Sequence, residues 1–156
     1  MLLETSKIRS RALPFCAGCG LDIGCKDDKI RPEAMGFDDD PGPEVNWCGD
    51  AARLPFPDRC FDYVYSSHCL EDFADTAGVL AEWVRVLRPG GRLVLYVPHP
   101  DLYHGVNLDH QVPGFRPAEI TVLLAQAGLR VLVATADTPE PDGVERYSTF
   151  AVAERA

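Results

Sequence analysis

The sequence predicts a single α/β domain over residues 1–156, built on a mostly parallel sheet, and three observations carry that expectation. Short apolar, β-rich runs alternate with segments of helical periodicity, the pattern of strands joined by crossover connections. At 156 residues and 46% hydrophobic, the chain can bury one ordinary core and has no material for a second. Neither an internal repeat nor a low-complexity stretch interrupts the alternation.

Residues 1–12 can form a helix packing Leu2, Leu3 and Ile8, ended by Pro14. Residues 20–24, Gly-Leu-Asp-Ile-Gly, read as a short buried strand running into a turn, and residues 34–37 as a second strand. Asp-Asp-Asp-Pro-Gly-Pro at 38–43 is a loop by composition, and residues 45–48 are a third strand. After the Pro57-Asp58 turn, the aromatic run at 61–66 is a fourth. Val79, Leu80, Trp83, Val84 and Leu87 recur at helical spacing, with Asp75 or Thr76 as the start and Pro89-Gly90-Gly91 as the stop. Residues 92–97 alternate little and read as a strand buried on both faces.

Residues 98–114 have no period and hold three of the four histidines, a stretch long enough to mark a functional loop. Pro117 and Glu119 open a second helix that carries Ile120, Leu123, Leu124 and Ala127, with Gly128 beyond it. Residues 129–134 and 147–153 complete a seven-stranded sheet, joined by an acidic, proline-containing hairpin loop.

Composition removes several function classes. A formal charge of −9, from 24 acidic against 15 basic residues with no local basic cluster, argues against nucleic acid as a partner. No apolar run nears the roughly 20 residues that cross a bilayer, and residues 1–11 lack the order of an export signal. The expectation is a cytoplasmic protein without membrane contact, whose six cysteines are free thiols. Cys16 and Cys19 have the gap of a metal knuckle without a matching second pair, and His99, His104, Asp109 and His110 are a conceivable but weaker ligand set, so no metal is expected.

Ligands of open parallel sheets sit beyond the carboxyl ends of the strands. Those ends carry Gly24, then Asp38 and Asp39, then Gly49-Asp50-Ala51, then Ser66-Ser67-His68, then Pro98-His99. Five segments in this order resemble the Rossmann-like (class I) S-adenosylmethionine-dependent methyltransferases of type 11. They are Leu21-Asp22-Ile23-Gly24-Cys25, Gly36-Phe37-Asp38, residues 49–56, Phe61-Asp62-Tyr63-Val64 leading to His68-Cys69-Leu70-Glu71, and Leu87-Arg88-Pro89-Gly90-Gly91. The resemblance covers roughly residues 21–129. It implies a three-layer fold with an antiparallel last strand, and S-adenosylmethionine as cofactor.

By that resemblance, Gly24 gives the cofactor close access to the backbone and Asp38 accepts from the ribose diol. Asp50 accepts from the adenine amino group, and Ala51 offers its amide to the ring. Asp22, through water, and a carbonyl at Ser66 face the cofactor's ammonium. The sequence departs from the family where glycines alternate after Gly24, since Lys26 and Asp28 stand there. The link to Ala34 is also about ten residues with Pro32 inside, short of a full crossover helix. The first crossover helix is therefore shortened or missing.

Methyl transfer needs an in-line approach and a base where the acceptor carries a proton. His68 and His110 lead as base or substrate contacts, with Glu71 behind them, then Asp109, His99 and Tyr103. Two functions remain open: a methyltransferase acting on a small-molecule or glycan-type acceptor held under residues 98–114, and a catalytically inactive methyltransferase-like binding or partner protein. Nicotinamide binding fits less well, because its glycine fingerprint is absent. Oligomeric state is not legible.

Overall fold

The computed structural model describes residues 3–156. Helix α1 (Glu4–Ala12) leads through a 3₁₀ turn (Leu13–Phe15) to β1 (Gly20–Ile23), β2 (Met35–Asp38), β3 (Trp47–Cys48) and β4 (Phe61–Ser67). A second 3₁₀ turn (Leu70–Asp72), α2 (Thr76–Arg85), β5 (Leu87–Pro98), α3 (Pro117–Gln126), β6 (Leu129–Ala136) and β7 (Ser148–Arg155) follow.

The strands form one seven-stranded sheet in the order β3-β2-β1-β4-β5-β7-β6, with β7 antiparallel to both neighbours and the other neighbouring pairs parallel. Strand order reverses between β1 and β4, which opens a crevice at their carboxyl ends.

Side-chain alternation divides the core in two. Leu21, Ile23, Val64, Leu93, Leu95, Ala151 and Ala153 face α2 and α3, where Leu80, Trp83, Ile120 and Leu124 are buried. Tyr63, Tyr65, Val94, Tyr96, Phe150 and Val152 face α1, whose Ile8 and Ala12 pack on them. Leu3 is exposed ahead of α1 and adds nothing to that face, and Leu2 lies outside the described residues.

Both anticipated long helices form, ending at Arg85 and Gln126, two and one residues short of Leu87 and Ala127 where their apolar spacing runs out. The Asp75 side chain accepts from the Gly78 amide at 3.0 Å and so caps α2. Pro89-Gly90-Gly91 are absorbed into β5, whose register with β4 shifts there, so the strand begins at Leu87 rather than Arg92. Strand β3 shrinks to two exposed residues at the sheet edge.

Residues 24–34 contain turns and no helix, which leaves backbone groups that need partners from elsewhere. Arg9 donates to the Lys29 and Ile30 carbonyls at 2.7 Å each, and Arg31 donates to the Cys16 and Leu13 carbonyls. The buried Asp22 carboxylate accepts from the Ile30 amide at 2.6 Å. Helix α1 thus covers the face that a full crossover helix would cover, with Ile30 and Ala34 in its core. No helix among the described residues is long and apolar enough to cross a membrane.

Candidate active site

A cleft of about 790 Å³ opens where the strand order reverses. Its size falls in the roughly 300–1,000 Å³ range of small-molecule sites. Gly24 ends β1 with φ +78°, a left-handed conformation that glycine adopts freely, and its amide donates to the Phe37 carbonyl. Lys26 has φ +31°, so the chain keeps a glycine-like turn where the family carries its next glycine.

Asp38 ends β2 on the opposite wall. Its Oδ2 accepts from the Lys26 amide at 3.0 Å and its Oδ1 from the Asp40 amide at 3.2 Å. The carboxylate therefore ties the two loops together while still lining the cleft. Burial, and then hydrogen bonding with Asp39, holds its pKa above the ordinary aspartate range.

Asp50 and Ala51 follow β3 and line the same cleft. Asp50 Oδ1 accepts from the Ala52 amide at 2.8 Å, an Asx turn that presents the Ala51 backbone. Trp83 of α2 donates its indole N–H to the Ala51 carbonyl at 2.9 Å, so the core helix fixes this wall.

The lining carries Asp38, Asp39, Asp40, Asp50, Asp72 and Asp109 against one lysine, Lys26. The Lys26 ammonium lies 3.6 Å from Asp40. Asp28, at the family's other glycine position, is turned away from the cleft by a salt bridge to Arg9 and a 2.7 Å hydrogen bond from Ser6. Such a cleft favours a cation and disfavours the pyrophosphate of a dinucleotide.

Beyond β4, His68 stands at φ +49° and lines the cleft beside Cys69 and Asp72. Burial lowers the His68 pKa to about 4, so its ring is neutral near pH 7 and its 3.5 Å and 3.9 Å approaches to Glu4 and Glu71 are contacts between a neutral ring and carboxyl groups. His68 Nε2 hydrogen-bonds Ser148 Oγ at 2.7 Å. Glu71 is fully buried, and burial raises its pKa to about 8. His110, from the 98–114 loop, brings Nε2 to 3.6 Å from Glu71 Oε1, beyond hydrogen-bond length.

The structure therefore gathers Gly24, Asp38, Asp50, Ala51 and His68 around one cleft, with Glu71 and His110 directly behind His68. One anticipated contact lies elsewhere. Asp22 sits on the α1 side of the sheet, held by the Ile30 amide, because strand alternation sends it away from its neighbours Leu21 and Ile23. Ser66 of β4 is buried, and its hydroxyl ties β4 to β1 by donating to the Ile23 carbonyl at 3.0 Å. His99 is buried and accepts from the Asp101 amide, while His104 is exposed.

Three contributors went unforetold. Cys69 limits the space above Gly24, where an added Cβ would come 3.0 Å from the Cys69 Cβ. Trp83 supports Ala51, and Arg9 holds the turn after β1. Each depends on a contact distant in sequence, although the burial of Trp83 was legible from its helical spacing.

Residues 21–95 match the family described as a methyltransferase domain. The demethylmenaquinone methyltransferase of Deinococcus radiodurans is 57% identical over 47 residues, covering 30% of this chain and 20% of that protein. Its counterpart in Mycolicibacterium gilvum is 36% identical over 97 residues, 60% of this chain and 42% of that protein. The matched segments thus span less than half the length of these relatives. Among solved structures, a didemethyltoxoflavin N1-methyltransferase from Burkholderia thailandensis, with bound didemethyltoxoflavin and S-adenosylhomocysteine, superposes with TM-score 0.75 at 18% identity over 97% of this chain and 76% of that one. An S-adenosylmethionine-dependent methyltransferase from Mesorhizobium loti gives 0.74 at 15% identity over 98% of both chains.

Proposed function

We propose that the chain is a class I S-adenosylmethionine-dependent methyltransferase, a reading supported by the family match over residues 21–95 and by the seven-stranded sheet, and that it binds S-adenosylmethionine in the cleft and methylates a small-molecule acceptor. The observation that carries this reading is the convergence of Gly24, Asp38, Asp50 and Ala51, from three strand ends, on one acidic cleft. The cofactor supplies an electrophilic methyl group on a sulfonium. Asp38 would accept from the ribose hydroxyls, Asp50 from the adenine amino group, and Ala51 would donate its amide to the ring. Gly24 leaves the backbone open to the methionine part.

The negative lining stabilises a cationic ligand over a neutral one of the same shape, so the methyl donor should be held more tightly than its demethylated product. His68 is placed to accept a hydrogen bond from the acceptor's O–H or N–H, being neutral at physiological pH and anchored by Ser148. Glu71 and His110 stand behind His68 at that end. The acceptors named for the matched relatives and for the toxoflavin enzyme are small molecules, which favours that class over a glycan. The alternative of an inactive binding protein rests on Lys26, Asp28 and the missing first crossover helix, whose face of the sheet α1 covers. Asp28 is removed by Arg9, and Lys26 retains the turn that glycine would make.

Calorimetric titration with S-adenosylmethionine and S-adenosylhomocysteine tests the proposal. One site of micromolar affinity is expected, tighter for the former. Absence of heat and of any thermal shift at millimolar ligand would defeat it.

A further inference from the structure

We propose that Glu71, Asp72 and His110 form a divalent-cation site that staples the 98–114 loop to the turn after β4, at the acceptor end of the cleft. The inference rests on the methyltransferase reading for the identity of that end, and on the side chains alone for the site.

One donor atom from each of the three residues lies within 4.8 Å of the others, a separation that a single ion can span. Two of them come from the Leu70–Asp72 turn and the third from the loop, so the cluster joins segments far apart in sequence. Backbone bonds already dock the loop there: the Gln111 and Val112 amides donate to the Glu71 carbonyl at 2.9 and 3.1 Å.

A second observation points to a ligand. Glu71 is completely buried, yet neither of its carboxylate oxygens has a hydrogen-bond partner, and Asp72 Oδ1 is also buried without one. Buried carboxyl oxygens normally find donors. Half of the six unpartnered buried side-chain atoms among the described residues belong to these two carboxylates. His110 Nε2, at 3.6 Å from Glu71 Oε1, is too far to satisfy them directly, while an ion between them would bond both.

Two carboxylates and one imidazole suit Mn²⁺, Fe²⁺, Co²⁺ or Zn²⁺, and three protein ligands leave coordination positions free. Asp72 lines the cleft, so those positions can face an acceptor oxygen and polarise it. The cation would also close the loop over the cleft.

The test uses the full chain stripped with chelator. Mn²⁺ is titrated with paramagnetic resonance as the readout and Zn²⁺ with calorimetry, while amide exchange of residues 98–114 is followed with and without metal. One ion per chain is expected, with slower exchange in the loop and at least tenfold weaker binding in His110→Ala and in Asp72→Asn. His110 is a loop residue, so its variant tests the site even if Glu71→Gln fails to fold. No stoichiometric binding up to millimolar metal, or affinity unchanged in both variants, would overturn the proposal. S-adenosylhomocysteine titrated into the metal-free chain separates the two ideas: cofactor binding without metal binding sinks only the cation site, and metal binding without cofactor binding sinks only the methyltransferase reading.

Discussion

Asp38→Asn is the sharpest probe of the cleft. The two carboxylate oxygens accept from different amides, Lys26 at 3.0 Å and Asp40 at 3.2 Å. An asparagine keeps one acceptor and turns an NH₂ group toward the other N–H, so one bond is lost and two donors are opposed. The charge that would receive the ribose hydroxyls disappears as well. Charge-assisted hydrogen bonds contribute about 1.5–3 kcal/mol each, so losing one on the ligand side weakens binding by about 2 kcal/mol, or about 30-fold. Calorimetry with S-adenosylhomocysteine reads the affinity, and thermal unfolding confirms that the variant is folded. Because Asp38 titrates above the ordinary aspartate range, wild-type affinity should also fall as pH drops through that raised pKa, and the variant should lose this dependence. A folded variant whose affinity stays within threefold of wild type would refute the assignment of Asp38.

Other perturbations follow from the same structure. Lys26→Gly removes the lining's single lysine at a positive φ, so it should tighten S-adenosylmethionine more than the neutral product, as comparative titrations would register; equal or opposite changes would contradict the electrostatic account. Trp83→Phe leaves the Ala51 carbonyl without its indole donor and should cost about 2 kcal/mol in urea unfolding as well as cofactor affinity. Arg9→Ala frees the Lys29 and Ile30 carbonyls, and should cost about 2–3 kcal/mol and speed amide exchange in residues 28–31; unchanged exchange would show that α1 does not hold that turn. Asp22 is buried with its folded pKa raised well above its unfolded value, so its contribution is greatest below the ordinary aspartate range and is lost as pH rises through the folded pKa. Asp22→Asn keeps an acceptor for the Ile30 amide, so the variant should melt above wild type near pH 7 and converge with it toward pH 4.

The sequence carried the sheet and the cleft because both are local in origin. Alternation in residues 61–66 separates Tyr63 and Tyr65 from Val64, and strand ends must carry the ligand contacts in a parallel sheet, so Gly24, Asp38, Asp50 and Ala51 could be named from position and resemblance. The short link after Gly24 foretold the missing helix. What replaces that helix was not legible, since Arg9 reaches residues 29 and 30 only after α1 has packed on the same face of the sheet. The surroundings of Asp22 are not legible for the same reason: they are set by the turn that α1 holds, through the Ile30 amide, rather than by its place two residues before Gly24. Clustering of histidines after β4 and β5 pointed to one end of the cleft, and the approach of His110 to Glu71, 39 positions apart, needed the fold of the loop. The extra length of β5 reflects pairing of Leu87 with Phe61, which a Pro-Gly-Gly sequence does not announce.

The central claim is that strand ends β1 to β3 form the seat of an adenosyl ligand, and a crystal structure of the chain grown with S-adenosylhomocysteine tests it most directly. The account predicts ribose hydroxyls on the Asp38 carboxylate and the adenine edge at Asp50 and the Ala51 amide. Ligand density elsewhere on the molecule, with the Gly24–Asp38–Asp50 cleft left to solvent, would contradict it.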